Sequence, residues 1–400
     1  MQQLTDEQLI QTAKQFGTPL YVYHSEKITE QFNKLTTAFY KPNTKFFYAC
    51  KALTNISILN HINSLGCNVD CSSINEVKLC IHAGFKLKNI LYTSNGIGFD
   101  EIEEAKNLGV NITLDSLSNL VKFGERFGNT CPLSLRIRPN IMGGGNIQIS
   151  TGHDESKFGI PVTQLEQILQ IIQQFHINVE GLHIHTGSDI DNIEVFIKGI
   201  TVLLDIIHHF PNLKFINLGS GFKVKYKEED KPTDINLLAQ KIYENFNNHG
   251  IAKDLEIWFE PGKFMVSECG YFIAKVNVIK DNEEAIFASV NSGFNHLIRP
   301  MFYGSYHSIK NISNINGVQK EYAVVGNLCE TDTFAWKRNI AEINEGDLLC
   351  FSNAGAYCFE MSSNFNSRFK PAEILFKNNN PYLIRKRDEF EDLLQNQIRI

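Results

Sequence analysis

The chain has 400 residues, 43% hydrophobic and 20% charged, with a formal net charge of −6, a length and composition that favour two soluble domains over one. No Lys/Arg-rich block marks a nucleic-acid footprint, no apolar run approaches the ~20 residues of a membrane span, and residues 1–15 are polar without a signal-peptide pattern. The nine cysteines are scattered through predicted strands and helices, which points to reduced thiols in a cytoplasmic protein rather than a disulfide framework.

Along the chain, Thr18-Pro19-Leu20-Tyr21-Val22-Tyr23 comes first. It is a strand-like run, expected to pair with β structure at the far end of the sequence. From residue 45 to 262 strand-like and helix-like segments alternate. The strand-like runs are 45–51, 67–73, 89–94, 111–115, 133–138, 179–185, 214–218 and 256–260. The helical patterns include 56–65, with Ile58, Leu59, Ile62 and Leu65 on one face and Gly66 as a stop. Another opens at Ser73, with Glu76 completing a capping box. Longer ones cover 162–175, 193–210 and 235–249. Eight strands separated by helices predict a closed (β/α)8 barrel, with an open doubly wound sheet as the alternative. After Gly262 the helical period stops, and runs at 272–279, 285–290, 321–325, 347–352 and 373–376 read as strands. The expected organisation is a barrel over 30–266 and a discontinuous, mainly β domain (barrel or sandwich) from 1–29 and 267–400.

The polar residues cluster at the carboxyl ends of the predicted barrel strands, where barrel enzymes keep their chemistry. In strand order they are Lys51; Asp70, Ser72 and Ser73; Ser94 and Asn95; Asp115; Arg138; His185 and Ser188; Gly219-Ser220-Gly221; and Glu260-Pro261-Gly262. A lysine following Phe46, Phe47, Tyr48 and Ala49 is expected to be desolvated, which favours a nucleophilic amine. A Gly-rich turn after a strand presents backbone N–H groups to a phosphate. A carboxylate across the barrel can hold a pyridine nitrogen protonated, the condition under which pyridoxal 5'-phosphate (PLP) acts as an electron sink. His183 and His185 alternate along one predicted strand, so one is expected at the mouth and the other packed.

The same segments resemble the PLP-dependent decarboxylases of the alanine racemase-like fold, and within them the group acting on diaminopimelate. The likeness runs from Phe16-Gly17-Thr18-Pro19-Leu20-Tyr21-Val22-Tyr23 to Pro371-Ala372-Glu373. Tyr48-Ala49-Cys50-Lys51-Ala52 is similar to the motif of the cofactor-bearing lysine, which implies that role for Lys51. Gly181 to Ser188 resembles the family's histidine motif, implying that His185 stacks on the cofactor ring and Ser188 binds phosphate. Leu218-Gly219-Ser220-Gly221-Phe222 is similar to the phosphate loop, with Ser220 where glycine is common and its hydroxyl a further phosphate donor. Glu260-Pro261-Gly262-Lys263 resembles a motif ending in arginine. It implies that Glu260 pairs with the pyridine nitrogen, Gly262 contacts the cofactor and Lys263 binds substrate, as a point charge rather than a bidentate fork.

In the β domain, Arg299-Pro300 with Tyr303-Gly304-Ser305-Tyr306-His307 is similar to the substrate segment, implying that Arg299 and Tyr303 hold the distal end of the substrate. Cys329-Glu330 resembles a proton-donating cysteine followed by the glutamate that binds the distal ammonium, continuing as Thr331-Asp332-Thr333 where Ser-Gly-Asp is usual. Gly355-Ala356-Tyr357 resembles the segment whose tyrosine contacts both cofactor and substrate. The resemblance implies decarboxylation of meso-2,6-diaminopimelate to L-lysine by a homodimer whose active sites are shared across the interface. It implies no nucleic-acid or membrane partner and no metal. The rival expectations are a decarboxylase of ornithine, arginine or carboxynorspermidine, a non-catalytic PLP-binding protein, and a racemase of the same fold.

Overall fold

The computed structural model describes residues 3–41, 43–141, 156–187, 189, 192–251 and 254–400. The chain divides into two compact units. One comprises residues 31–224 and 231–265, the other 1–30, 225–230 and 266–400.

The first unit is a closed parallel barrel. Its eight strands are Thr44–Ala49, Asn68–Cys71, Ile90–Thr93, Asn111–Leu114, Leu133–Arg138, Val179–His183, Phe215–Asn217 and Glu256–Phe259. Each pairs in parallel with its neighbour, and the last returns to the first with Ile257 opposite Thr44 and Phe259 opposite Phe46. The barrel expectation therefore holds, and the open sheet does not. A short extra strand, Ile160–Pro161, pairs beside Leu133–Arg138.

Capping sets the helix starts between the strands. The Asn55 side chain accepts the Ser57 amide ahead of Ile56–Ser64. The Ser73 hydroxyl accepts the Glu76 amide ahead of Ile74–His82, while the Glu76 carboxylate accepts the Ser72 amide at 2.6 Å. Helices Phe99–Leu108 and Leu117–Phe127 complete the ring between strands whose connections carried no distinct sequence expectation.

An aromatic plug closes the barrel interior. Phe47, Leu91, Phe215 and Trp258 form one cluster, with the Phe215 and Trp258 rings stacked at 3.5 Å. Gly181 faces this plug, since a Cβ there would collide with the Phe215 ring. Two residues further along these strands come Ala49, Thr93, His183, Asn217 and Glu260. With a side-chain period of two, the plug forms one layer and the polar residues the next towards the carboxyl ends.

The second unit is a nine-stranded sheet, ordered from the edge strand Thr333–Ala341 through Gln319–Val325, Ile286–Val290, Gly270–Asp281, Leu20–His24 and Ala372–Lys377 to the edge strand Asn380–Arg385. Leu348–Phe351 and Ile309–Asn311 branch off it. Leu20–His24 lies antiparallel to Gly270–Asp281 and parallel to Ala372–Lys377, so the N-terminal run pairs with the C-terminal β structure as expected. Helix Asp6–Phe16, capped by Thr5, lays Leu9 and Ala13 into a core with Val22, Ile273, Cys350 and Ile374. Both edge strands were absent from the sequence expectation. They expose residues such as Trp336, Lys337, Tyr382 and Leu383, which blurs the apolar alternation that marks a half-buried strand.

Candidate active site

Glu260 ends the eighth barrel strand in a nearly closed setting, 9% exposed. Its Oε1 accepts the Asn217 amide at 2.6 Å and its Oε2 lies 3.3 Å from Nε2 of His183. Burial pushes its carboxyl up, but His183, His185 and Lys51 together outweigh that and hold it at about 2. Glu260 is therefore a carboxylate at any physiological pH. Asp70, at the end of the second strand, goes the other way. Burial first, then the Glu260 charge, pushes it well above the usual carboxylate range. Two acids in one small volume are thus pushed apart, Glu260 down and Asp70 up. Burial also lowers His183, and lowers His185 well below the ordinary histidine value, with Arg136 and Lys51 adding to the effect on His185. Both imidazoles are thus neutral near pH 7.

The turn after the seventh strand is laced to these groups. The Gly219 amide donates to Asn217 Oδ1 at 3.0 Å, and the Ser220 amide to His185 Nδ1 at 3.3 Å. Gly219 has φ 63°, and a Cβ there would lie 2.6 Å from His185 Nδ1 and 2.7 Å from the Ile184 carbonyl. Only glycine fits that approach. The Ser220 hydroxyl donates to the Glu260 carbonyl at 2.8 Å. Its single proton points to the barrel rim in this structure. Gly221 follows at φ 119°. Gly262 is buried, and its carbonyl accepts the Met265 amide at the short helix Lys263–Val266.

Two sequence expectations are revised in this unit, those for Lys51 and His183. Lys51 is exposed rather than desolvated. The strand stops at Ala49, and Lys51 follows on the 3-10 turn Cys50–Ala52, with its charge still acting on Glu260, Asp70 and His185. His183 is no bystander: the strand ends there, strict alternation ends with it, and both His183 and His185 face the Glu260 neighbourhood. Arg136, not Arg138, is the arginine of the barrel interior. It is 8% exposed and under the influence of Glu260, Asp115 and Asp70, whereas Arg138 bonds Asn140 and the Ser156 carbonyl. Lys263 forms a 2.6 Å ion pair with Asp189, whose backbone sits at φ 56°. Neither Asp189 nor Asn217 was singled out from sequence. Asn217 carried a signal, two residues before a glycine turn on a strand. Ser188 lies outside the described residues.

In the second unit, Arg299 starts the short helix Arg299–Tyr303 and is 5% exposed. Its guanidinium lies over the rings of Tyr226 at 5.6 Å and Tyr303 at 5.9 Å, and bonds the Ser305 hydroxyl at 3.3 Å. Cys329 and Glu330 are exposed on the loop after Gln319–Val325. Asp332 shapes that loop. Its carboxylate accepts the Phe294 amide at 2.7 Å and the Leu328 amide at 3.2 Å. The departure from the usual continuation thus still supplies a carboxylate that holds the loop. Asn366, missed from sequence, accepts the Cys329 amide at 2.9 Å and donates to its Sγ at 3.0 Å. Tyr357 is half-buried at φ 57°, beside the buried Gly355.

Residues 25–267 match the family model described as the pyridoxal-dependent decarboxylase, pyridoxal binding domain. The chain belongs to the pyridoxal-dependent decarboxylases. It is 35% identical to the diaminopimelate decarboxylase of Methanothermobacter thermautotrophicus over 97% of this chain and 93% of that one. It is 32% identical to the diaminopimelate decarboxylase of Neisseria meningitidis, covering 96% and 94%. Among solved structures, the diaminopimelate decarboxylase of Helicobacter pylori complexed with L-lysine superposes with a TM-score of 0.89 at 30% identity, covering 97% of this chain and 98% of that one.

The cofactor of a pyridoxal-dependent decarboxylase is pyridoxal 5'-phosphate, and the barrel residues fit it. Lys51 offers an exposed amine at a strand end, Glu260 an ionised carboxylate, His185 a neutral ring, and Gly219 an approach that a Cβ would fill. No helix among the described residues is long and apolar enough to cross a membrane.

Proposed function

We propose that this chain removes CO2 from meso-2,6-diaminopimelate to give L-lysine, acting in the cytoplasm as a homodimer. The observation that carries the reading is the end-to-end likeness to diaminopimelate decarboxylases, which extends through the β unit with its Arg299, Cys329 and Glu330.

Bound PLP supplies an electron sink for the pair left behind when the carboxylate departs. Lys51 would hold the cofactor by its amine at the barrel mouth. Glu260, fixed by His183 and Asn217, keeps the pyridine nitrogen protonated. Neutral His185 covers the ring without adding a charge that would compete with it. Gly219, Ser220, Gly221 and Ser188 form the phosphate end, with Gly262 and Tyr357 as further cofactor contacts. Lys263, Arg299, Tyr303, Glu330 and Tyr357 bind substrate.

The distal head of diaminopimelate carries both an ammonium and a carboxylate, and a cation and an anion are needed to hold it. Arg299 and Glu330 make that pair. Fixing the distal end aligns the breaking bond at the other, which selects decarboxylation over proton removal. Cys329 delivers the proton to the carbon that lost CO2. In the dimer, Cys329 and Glu330 of one chain serve the barrel of the other. Ornithine has no distal carboxylate for Arg299 to hold.

The test is CO2 release and L-lysine formation by the purified, PLP-loaded chain from meso-diaminopimelate, beside equal concentrations of L-ornithine and L-arginine. A higher kcat/KM for ornithine or arginine overturns the substrate, and no CO2 from any of them overturns the activity. Mixing Lys51→Ala and Cys329→Ala chains tests the shared sites. Recovered activity is expected, and none despite proven subunit exchange would reject sharing.

A further inference from the structure

Three thiols converge beside the lysine turn without any part in the chemistry above. Cys50 follows the first barrel strand, Cys71 ends the second, and Cys80 lies on helix Ile74–His82. All three are fully buried. The Sγ atoms of Cys50 and Cys71 are 3.9 Å apart, those of Cys71 and Cys80 3.7 Å, and all lie within 4.8 Å of one another. A disulfide closes to about 2.05 Å. Thiolates at about 2.3 Å from one tetrahedral ion stand about 3.8 Å apart, which is the spacing found. The Glu76 carboxylate stands outside this group of three, on the same helix as Cys80 and electrostatically coupled to Cys50. That carboxylate is oriented by the Ser72 amide, the kind of outer contact that aims a ligand.

We propose that Cys50, Cys71 and Cys80 form a structural site for a thiophilic divalent cation such as Zn2+, with Glu76 moving in as the fourth ligand when the ion binds. Each thiol gives up its proton on binding, so three protons leave per ion. Closed sites of this donor type are structural rather than catalytic, because no position is left for water. The ion would tie the first strand, the second strand and the helix after it together at the residue before Lys51. It would stiffen the turn that presents that amine without touching the reaction.

The test uses tag-free, PLP-loaded full-length protein carrying Cys131→Ser and Cys329→Ser, which removes the two thiols that are not buried. After reduction and removal of metal, Co2+ serves as the probe. The expected result is one Co2+ per chain with a thiolate-to-cobalt charge-transfer band, displaced by Zn2+, with release of three protons. Cys71→Ser and Cys80→Ser should each weaken binding at least about 100-fold, beyond the loss seen for outer-shell changes. If those variants do not fold, the parent protein still decides. Absence of the charge-transfer band overturns the site, as does a band that persists in Cys80→Ala. A Cys50–Cys71 or Cys71–Cys80 disulfide recovered from unreduced protein also overturns it, in favour of a redox pair.

Discussion

Nε2 of His183 lies 3.3 Å from Oε2 of Glu260, inside the barrel where neither side chain meets bulk water. The contact gives the carboxylate a partner in place of its lost hydration. Glu260→Gln keeps the shape and removes the charge. Activity should fall by about 10²–10³, the scale seen when a preorganised electrostatic contact is deleted. His183→Phe should cost about 1–3 kcal/mol of stability by stripping a buried partner from Glu260. Steady-state kinetics and thermal melts check both. Unchanged kcat in Glu260→Gln would remove the residue from the mechanism.

Gly219 is hemmed in by the His185 ring and the Ile184 carbonyl. Gly219→Ala should force the turn away from His185 at a cost of about 1–3 kcal/mol, and should weaken PLP binding more than it weakens folding. Fluorescence titration of the apoprotein with PLP, beside a denaturant melt, separates the two effects.

Asn366 grips Cys329 by both its amide and its sulfur. Cys329→Ser should lower kcat by about 10², the lower end of the range for a proton-transfer group. Asn366→Ala should lower it about 10-fold by loosening the same thiol, and Asn366→Asp should not restore it, because a carboxylate cannot donate to sulfur. Steady-state kinetics distinguish the roles, since Asn366→Ala should lower kcat while KM stays near the parent value.

Lys263 is held by Asp189 at 2.6 Å, with Asp189 about a third exposed. Breaking the pair with Asp189→Asn should cost about 1 kcal/mol or less in stability, as for other solvent-screened pairs. The larger effect should be on KM, because the pair fixes where the cation of Lys263 stands. Lys263→Arg should keep activity within about 10-fold, whereas Lys263→Ala should raise KM beyond that.

Burial lowers His307 to about 3, with Arg299 adding to the effect, and lowers His296 to about 4. Protons therefore bind the unfolded chain first. The stability these groups contribute is complete above the ordinary value of 6.5 and is lost as pH falls towards 4 for His296 and 3 for His307. Glu260 acts in the same direction lower down, with its contribution complete above 4.5 and lost as pH falls through about 2. Denaturant melts from pH 7.5 to 4 should show stability declining by up to about 1.4 kcal/mol per pH unit for each histidine in its window. His307→Gln should flatten that decline, and an identical slope would reject the assignment.

What the sequence alone determined was periodicity and chain order. Eight apolar strand runs separated by helical ones specify a barrel, because each helix must cover one strand pair and the polar strand ends then collect at one rim. The motif around Lys51 and those at His185, Gly219 and Glu260 were legible for that reason, and so was the return of Leu20–His24 to the C-terminal sheet. Only the tertiary structure decided depth. It separated Arg136 from Arg138, set His183 beside Glu260, put Lys51 on a 3-10 turn beyond the strand, and pointed the Ser220 hydroxyl at a carbonyl. It also placed Asp189 on Lys263 and Asn366 on Cys329, and it gathered Cys50, Cys71 and Cys80 from two strands and a helix. The physical reason is that alternation assigns a side chain to a face of a strand. Which layer it occupies, and which charge it meets there, depends on closure of the barrel and on groups distant along the chain.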